Sequence, residues 1–172
     1  MAERSADVIK RYVADAISAG KSFETQLHRF AKEVDNEAAK AVLQKHAAET
    51  KQQYERLTGR LNKLEGSVLS ARSLLPHIFG LGVKANQLGS DKKERASHEL
   101  TITYAVENSL IAMYECLETM AEAAGDAETA ELAGSIQAEQ RVMAQEVWNL
   151  VPGVALDAHK RVTPERSVKT TA

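Results

Sequence analysis

Apolar residues return at alternating spacings of three and four along four segments of the chain, the period of a helix with one buried face. The first stripe is Ile9, Val13, Ala16, Gly20, Phe23, Leu27 and Phe30, and the second is Val42, His46, Glu49, Gln53, Leu57 and Leu64, with Arg56 and Leu61 at its edges. The third is Leu100, Thr103, Glu107, Leu110, Tyr114, Leu117 and Ala121, and the fourth is Leu132, Ile136, Glu139, Met143, Val147 and Leu150. Start and stop signals frame them. Ser5 is placed to cap a helix over residues 6–34, and Asn36 a second over 37–65, with Gly66 in the left-handed position that ends it. Ser90 or Asp91 opens a third helix that Gly125 closes, and Asp126 caps a fourth that Pro152 ends. Each is on the order of 40 Å long at 1.5 Å per residue.

Two connections are short and one is long. Asp35-Asn36 and Gly125-Asp126 leave room only for antiparallel hairpins, whereas residues 67–90 are long enough to run the length of a bundle. The expected fold is therefore all-α, a four-helix bundle over residues 1–152 with a long crossover between helices 2 and 3. Residues 153–172 form a tail expected to be flexible. Within the crossover, residues 74–88 are apolar and broken by Pro76, Gly80 and Gly82. They are a candidate surface for self-association, as a homodimer or larger assembly, or for a protein partner.

Composition narrows the function. The 172 residues are 44% apolar and 27% charged with a net charge of −2, so no basic field exists to hold nucleic acid. No charge-free apolar run approaches the ~20 residues of a membrane span. The single cysteine, Cys116, excludes a disulfide framework and fits a reducing cytoplasm; at the edge of the third stripe it is expected to be buried. No strand followed by a Gly-rich phosphate loop and no nucleophile elbow is present.

The chemistry lies where polar residues interrupt the stripes. Glu49, Glu107 and Glu139 each fall near the middle of a helix, so antiparallel packing brings them to one level of the core. Buried carboxylates at one level are disfavoured by desolvation and by mutual repulsion. A bound cation, a basic partner such as His46, or retained protons would each compensate. His46 and Glu49 are three apart and share a helix face; carboxylates with a neutral imidazole suit iron, manganese or zinc.

The segments KSFETQLHRFAKEVDNEAAKAVLQKHAAETKQQYERLTGRL, LLPHIFGLGVKANQLG, TYAVENSLIAMYECLETMAEAAGD and SIQAEQRVMAQEVWNLVP resemble the YciE/YciF-like branch of the ferritin-like superfamily, from about Tyr12 to Pro152. The resemblance implies a ferritin-like bundle, often dimeric, in stress-associated bacterial proteins, with a mid-bundle two-metal centre. This chain departs from that pattern. Where the family shows Ala-Glu-Lys-Ser-Phe-Glu it reads Ala19-Gly20-Lys21-Ser22-Phe23-Glu24; where the family shows Glu-Asn-Ser-Glu it reads Glu107-Asn108-Ser109-Leu110; and a Glu-Glu pair has become Glu139-Gln140. Two lost carboxylates impair a centre that must offset two divalent ions. The remaining metal ligands are Glu49, Glu107, Glu139 and His46, with Glu24 and Gln53 as substitutes. Iron or manganese held weakly, with at most a weak ferroxidase-type activity, stands against a bundle that has lost its metal and serves as a structural or interaction protein.

Overall fold

The computed structural model describes residues 4–68 and 92–163. The described residues form four helices, α1 (Ser5–Glu33), α2 (Glu37–Lys63), α3 (Arg95–Ala123) and α4 (Ala127–Val162), and no strand occurs among them. The crossover surface at 74–88 and residues 164–172 of the tail lie outside them.

The helices form where the sequence favours them, and two of the four expected start signals, Asn36 and Asp126, hold as caps, whereas α3 begins at Arg95 behind Glu94. Asn36 Oδ1 accepts from the Ala39 amide at 3.0 Å, and Asp126 Oδ1 accepts from Thr129 N at 3.1 Å, so each side chain satisfies an otherwise orphaned N–H. At α1 the cap position is Arg4, without a side-chain cap bond, and Ser5 is already helical. Gly125 adopts φ 74 and ends α3, with Asp126 N donating back to Ala121 O at 2.9 Å. The corresponding residue after α2 is Glu65, at φ 53, one place before the expected Gly66. Gly66 serves a different end: a Cβ there would lie 2.3 Å from Leu61 Cδ1, so the turn closes against Leu61 only because that atom is missing.

α1 packs on α2 and α3 on α4, and the two hairpins meet through α1 against α3 and α2 against α4. Cross-links fix the direction. Along α2 and α4, Asn36 pairs with Asp157, Lys45 with Glu146, Arg56 with Glu139 and Arg60 with Asp126, one index falling as the other rises. α2 and α4 are thus antiparallel, and α2 and α3 run parallel across the diagonal, as the long connection requires. Phe23, Leu27, Phe30, Leu43, Leu57, Leu100, Leu110, Tyr114, Leu117 and Ile136 fill the core. No described helix is long and apolar enough to cross a membrane.

One boundary differs plainly from expectation. α4 continues through Pro152 to Val162. An interior proline costs a helix about 3 kcal/mol through its missing N–H and its clash with the preceding turn. Packing past it offsets that cost: Val154 and Ala158 are buried, and Asp157 accepts from Asn36 beside the α1–α2 turn. Cys116 is exposed, contrary to the expectation of a buried thiol.

Candidate functional site

At mid-bundle α2 turns His46, Thr50 and Gln53 inward, spaced four and three apart, and all three are buried. α3 contributes Thr103 and Glu107, both buried, and α4 contributes Gln140. These polar residues form an interior layer between the apolar ends of the bundle.

Its centre is a contact along the bundle diagonal. His46 Nδ1 lies 2.7 Å from Glu107 Oε1, and both side chains have 0% exposure. The other ring nitrogen, Nε2, lies 3.1 Å from Glu146 Oε2, whose side chain is 34% exposed. A neutral imidazole has one N–H and a carboxylate has none, so two carboxylates on one ring require a second proton. Burial pulls the His46 pKa down, but the hydrogen bond and charge of Glu107, aided by Glu146, outweigh it and leave it raised. Burial likewise raises the Glu107 pKa, only partly countered by His46. Both directions say the same thing: the pair keeps a proton.

Around this centre each acid meets a cation of the protein itself. Lys45 Nζ donates to Glu146 Oε1 at 2.6 Å and lies 3.6 Å from Glu49 Oε1. The Glu146 pKa is lowered, chiefly by Lys45 and then by His46. Arg56 Nη2 donates to Glu139 Oε2 at 2.6 Å, and Gln53 Nε2 donates to the same oxygen at 3.2 Å. Gln140 Nε2 donates to Gln53 Oε1 at 2.7 Å, closing the layer.

The expectation of three carboxylates converging at one level is corrected here. Glu107 is interior, but Glu49 and Glu139 sit at the α2–α4 seam with side chains 36% and 42% exposed. The core positions are Thr50 and Gln140, one residue further along each helix. His46 and Gln53 are inside as expected. Glu24 is turned elsewhere: it accepts from the Tyr54 hydroxyl at 2.7 Å, which pushes the Tyr54 pKa up to about 12. Nor does Gly20 mark an empty ligand position. A Cβ built on it would lie 3.1 Å from Tyr54 Cβ and 3.4 Å from Cδ1, so the missing side chain is what allows α2 to approach α1.

Lys45, Thr50, Gln140 and Glu146 escaped the sequence reading. The signal for Glu146 was there: Glu139, Met143 and Glu146 continue one stripe at spacings of four and three, and Lys45 stands four before Glu49.

The donor set therefore does not fit a two-metal centre. Lys45 and Arg56 engage the acids that would face the ions, both nitrogens of His46 face carboxylates, and Tyr54 crowds position 20. Among the described residues no three His, Cys, Asp or Glu side chains are grouped to hold a metal ion.

Sequence and structure comparisons agree with this architecture. A family profile described as "Domain of unknown function (DUF892)" matches residues 6–159. The chain belongs to the DUF892 family. Among solved structures, the DUF892 chain is similar to the E. coli stress protein YciF at TM-score 0.76 and 24% identity, over 95% of this chain and 100% of that one. It is also similar to a protein of Xanthomonas campestris pv. campestris (TM-score 0.76, 22% identity, 92% of this chain and 98% of that one). A third likeness is to YcfI from Rhodopseudomonas palustris (TM-score 0.74, 22% identity, 84% and 93%). At these identities the likeness is one of fold. No curated protein matches the sequence.

Proposed function

We infer that this DUF892 protein is a non-catalytic bundle of ferritin-like connectivity, a structural or interaction component whose mid-bundle acids are neutralised from within. One observation carries the reading: the fully buried His46–Glu107 contact, with Glu146 on the opposite ring nitrogen, puts an imidazole of the protein itself where a metal would otherwise meet the carboxylates. Lys45 and Arg56 extend the same compensation to Glu49, Glu146 and Glu139. The likeness to the stress protein YciF supports a stress-associated role.

Iron or manganese reaching Glu49, Glu107, Glu139 and His46 would have to displace these internal cations and a proton, so its binding is weak and its redox chemistry slight. Elemental analysis of protein purified without chelators from iron- and manganese-supplemented cells tests this. Clearly substoichiometric metal is expected, with a melting temperature unmoved by either ion, since a ligand bound to the folded state alone would raise it. One tightly held metal per chain would overturn the reading.

A further inference from the structure

The helices differ in what they show to solvent. α1 is strongly one-sided, whereas α3 and α4 are far less so, and a helix apolar on more than one side is covered on more than one side. In a chain that is 27% charged, residues 100–114 of α3 and 142–156 of α4 hold one charged residue each, Glu107 and Glu146. Glu107 is buried and Glu146 is turned to Lys45 and His46 at the α2 seam, so neither reaches the outer side of the α3–α4 hairpin. All four large apolar side chains left exposed among the described residues, Val142, Trp148, Leu156 and Val162, lie on α4.

Tyr104 and Trp148 meet across the α3–α4 seam with ring centroids 5.2 Å apart, and Trp148 is 54% exposed. Thr101, Asn108 and Ala112 stand three, four and eight from Tyr104, and Gln145, Pro152 and Leu156 stand three, four and eight from Trp148, so they share the side of the aromatic pair. All six are exposed. Uncharged residues around a tryptophan–tyrosine centre have the composition of an interface core. The ends of the hairpin are charged and opposite in sign. Beside the Arg141–Glu115 pair the turn end carries Glu118, Glu122 and Glu131. The open end carries Lys92, Lys93, Lys160 and Arg161 against Glu94 and Asp157. Glu118 lies fourteen residues from Tyr104 and Lys160 twelve from Trp148, about 21 and 18 Å along the axes, so the two ends are almost equidistant from the aromatic pair. The uncharged zone is about 22 Å long and two helices, about 20 Å, wide. That is about 440 Å², roughly half of the ~800 Å² per partner of a stable interface, and extension over the charged ends to about 43 Å supplies the rest.

We propose that two copies of this chain pack antiparallel through their α3–α4 faces, with the aromatic pairs at the centre and the acidic end of each hairpin on the basic end of the other. A two-fold axis lying in the face and crossing the helices near Trp148 produces this arrangement, whereas an axis along the helices sets like charges together. The proposal deepens the interaction role inferred above by naming its partner. Its test is blind to metal, and the elemental analysis that tests the neutralised core is blind to self-association, so either can fail alone.

Trp148 is the only tryptophan of the chain, so its fluorescence reports this face. The full chain is diluted from about 100 μM to about 0.1 μM, with sedimentation velocity giving the mass and acrylamide quenching the access to Trp148. A dimer is expected at the upper end, with Trp148 protected and its emission shifted to the blue, both lost on dilution. Trp148→Glu enters the interface twice and should weaken association about a thousandfold, about thirtyfold per copy. Leu156→Glu, at a second exposed position, should weaken it as well, and both variants should keep the wild-type circular dichroism spectrum. Lys160→Glu with Arg161→Glu should cost about tenfold, and adding Glu118→Lys and Glu122→Lys should restore the affinity. A chain that stays monomeric at about 100 μM overturns the proposal, whether Trp148 is open to the quencher or covered at every concentration by residues 69–91. So does a dimer in which Trp148 stays quenchable, which places the interface elsewhere. Unchanged affinity in the charge-reversed variant overturns the antiparallel arrangement.

Discussion

His46→Leu removes the interior imidazole of the mid-bundle layer and leaves Glu107 without its partner. Both side chains have 0% exposure, so solvent neither screens the pair nor replaces it. Breaking one half of such a pair costs about 3–5 kcal/mol, because an uncompensated charge stays buried. Glu146 adds little to the loss, since it keeps Lys45 and is 34% exposed. For a chain of this size 1 kcal/mol moves Tm by roughly 2–4 °C, so a fall of about 6–20 °C is expected. The double variant His46→Leu, Glu107→Leu should recover most of that loss, because two apolar side chains carry no desolvation penalty.

The pH dependence sharpens the test. Without His46, the Glu107 pKa rises further, since the hydrogen bond that lowered it is gone. A carboxyl whose folded pKa lies above its ordinary 4.5 binds more protons folded than unfolded, so stability falls as pH climbs from 4.5 through the folded value. The single variant should therefore be nearer wild type at pH 5 than at pH 8, and the double variant should show no such slope from this site. Urea unfolding followed by circular dichroism at both pH values supplies the four corners of a double-mutant cycle. A single-variant loss below about 1 kcal/mol at pH 8 would refute the buried-pair argument, and so would additivity of the two substitutions.

Three further outcomes follow from other parts of the molecule. Pro152→Ala should raise stability by about 1–3 kcal/mol, because α4 continues through this position and regains a backbone donor; a lower Tm would mean that the helix needs its kink. Gly20→Glu should destabilise by about 1–3 kcal/mol through crowding of Tyr54, without increasing metal content on elemental analysis; a gain in metal would mean that Tyr54 yields and the position faces the layer. Burial, reinforced by Glu33, raises the Glu99 pKa to about 7, so its contribution to stability falls between its ordinary 4.5 and about 7; Glu99→Gln should flatten that slope in urea titrations, and an unchanged slope would refute it.

How much of this was legible depended on what competed for each core position. On α1 and α3 every stripe residue, from Ile9 to Phe30 and from Leu100 to Ala121, is buried, and the buried face is wide enough to take in neighbours such as Ile17 and Val106 as well. On α2 and α4 the mid-helix choice lay between two polar residues, Glu49 or Thr50 and Glu139 or Gln140. Spacing alone cannot separate adjacent polar residues, and the uncharged one took the interior since it loses less on desolvation. Pro152 misled because propensity is local, whereas the burial of Val154 and Ala158 is tertiary. Gly20 read as a lost ligand because a deletion in sequence does not reveal which neighbour moves in; here it is Tyr54.

Salt separates the two kinds of charge pairing in this bundle. Lys45–Glu146 and Arg56–Glu139 have side chains 34–48% exposed, whereas His46–Glu107 is closed to water. Raising ionic strength from 0.1 to 1 M shortens the screening length from about 10 Å to about 3 Å, which weakens exposed pairs and hardly reaches a buried one. The exposed seam pairs are each worth about 0–1 kcal/mol at most, so wild-type stability should fall by no more than a similar amount from their screening. The gap between wild type and His46→Leu should stay constant across the same range. Equilibrium unfolding of both proteins at the two salt concentrations measures the two effects independently. If the gap closes in high salt, water and ions reach His46, and the seam rather than the diagonal holds the middle of the bundle together.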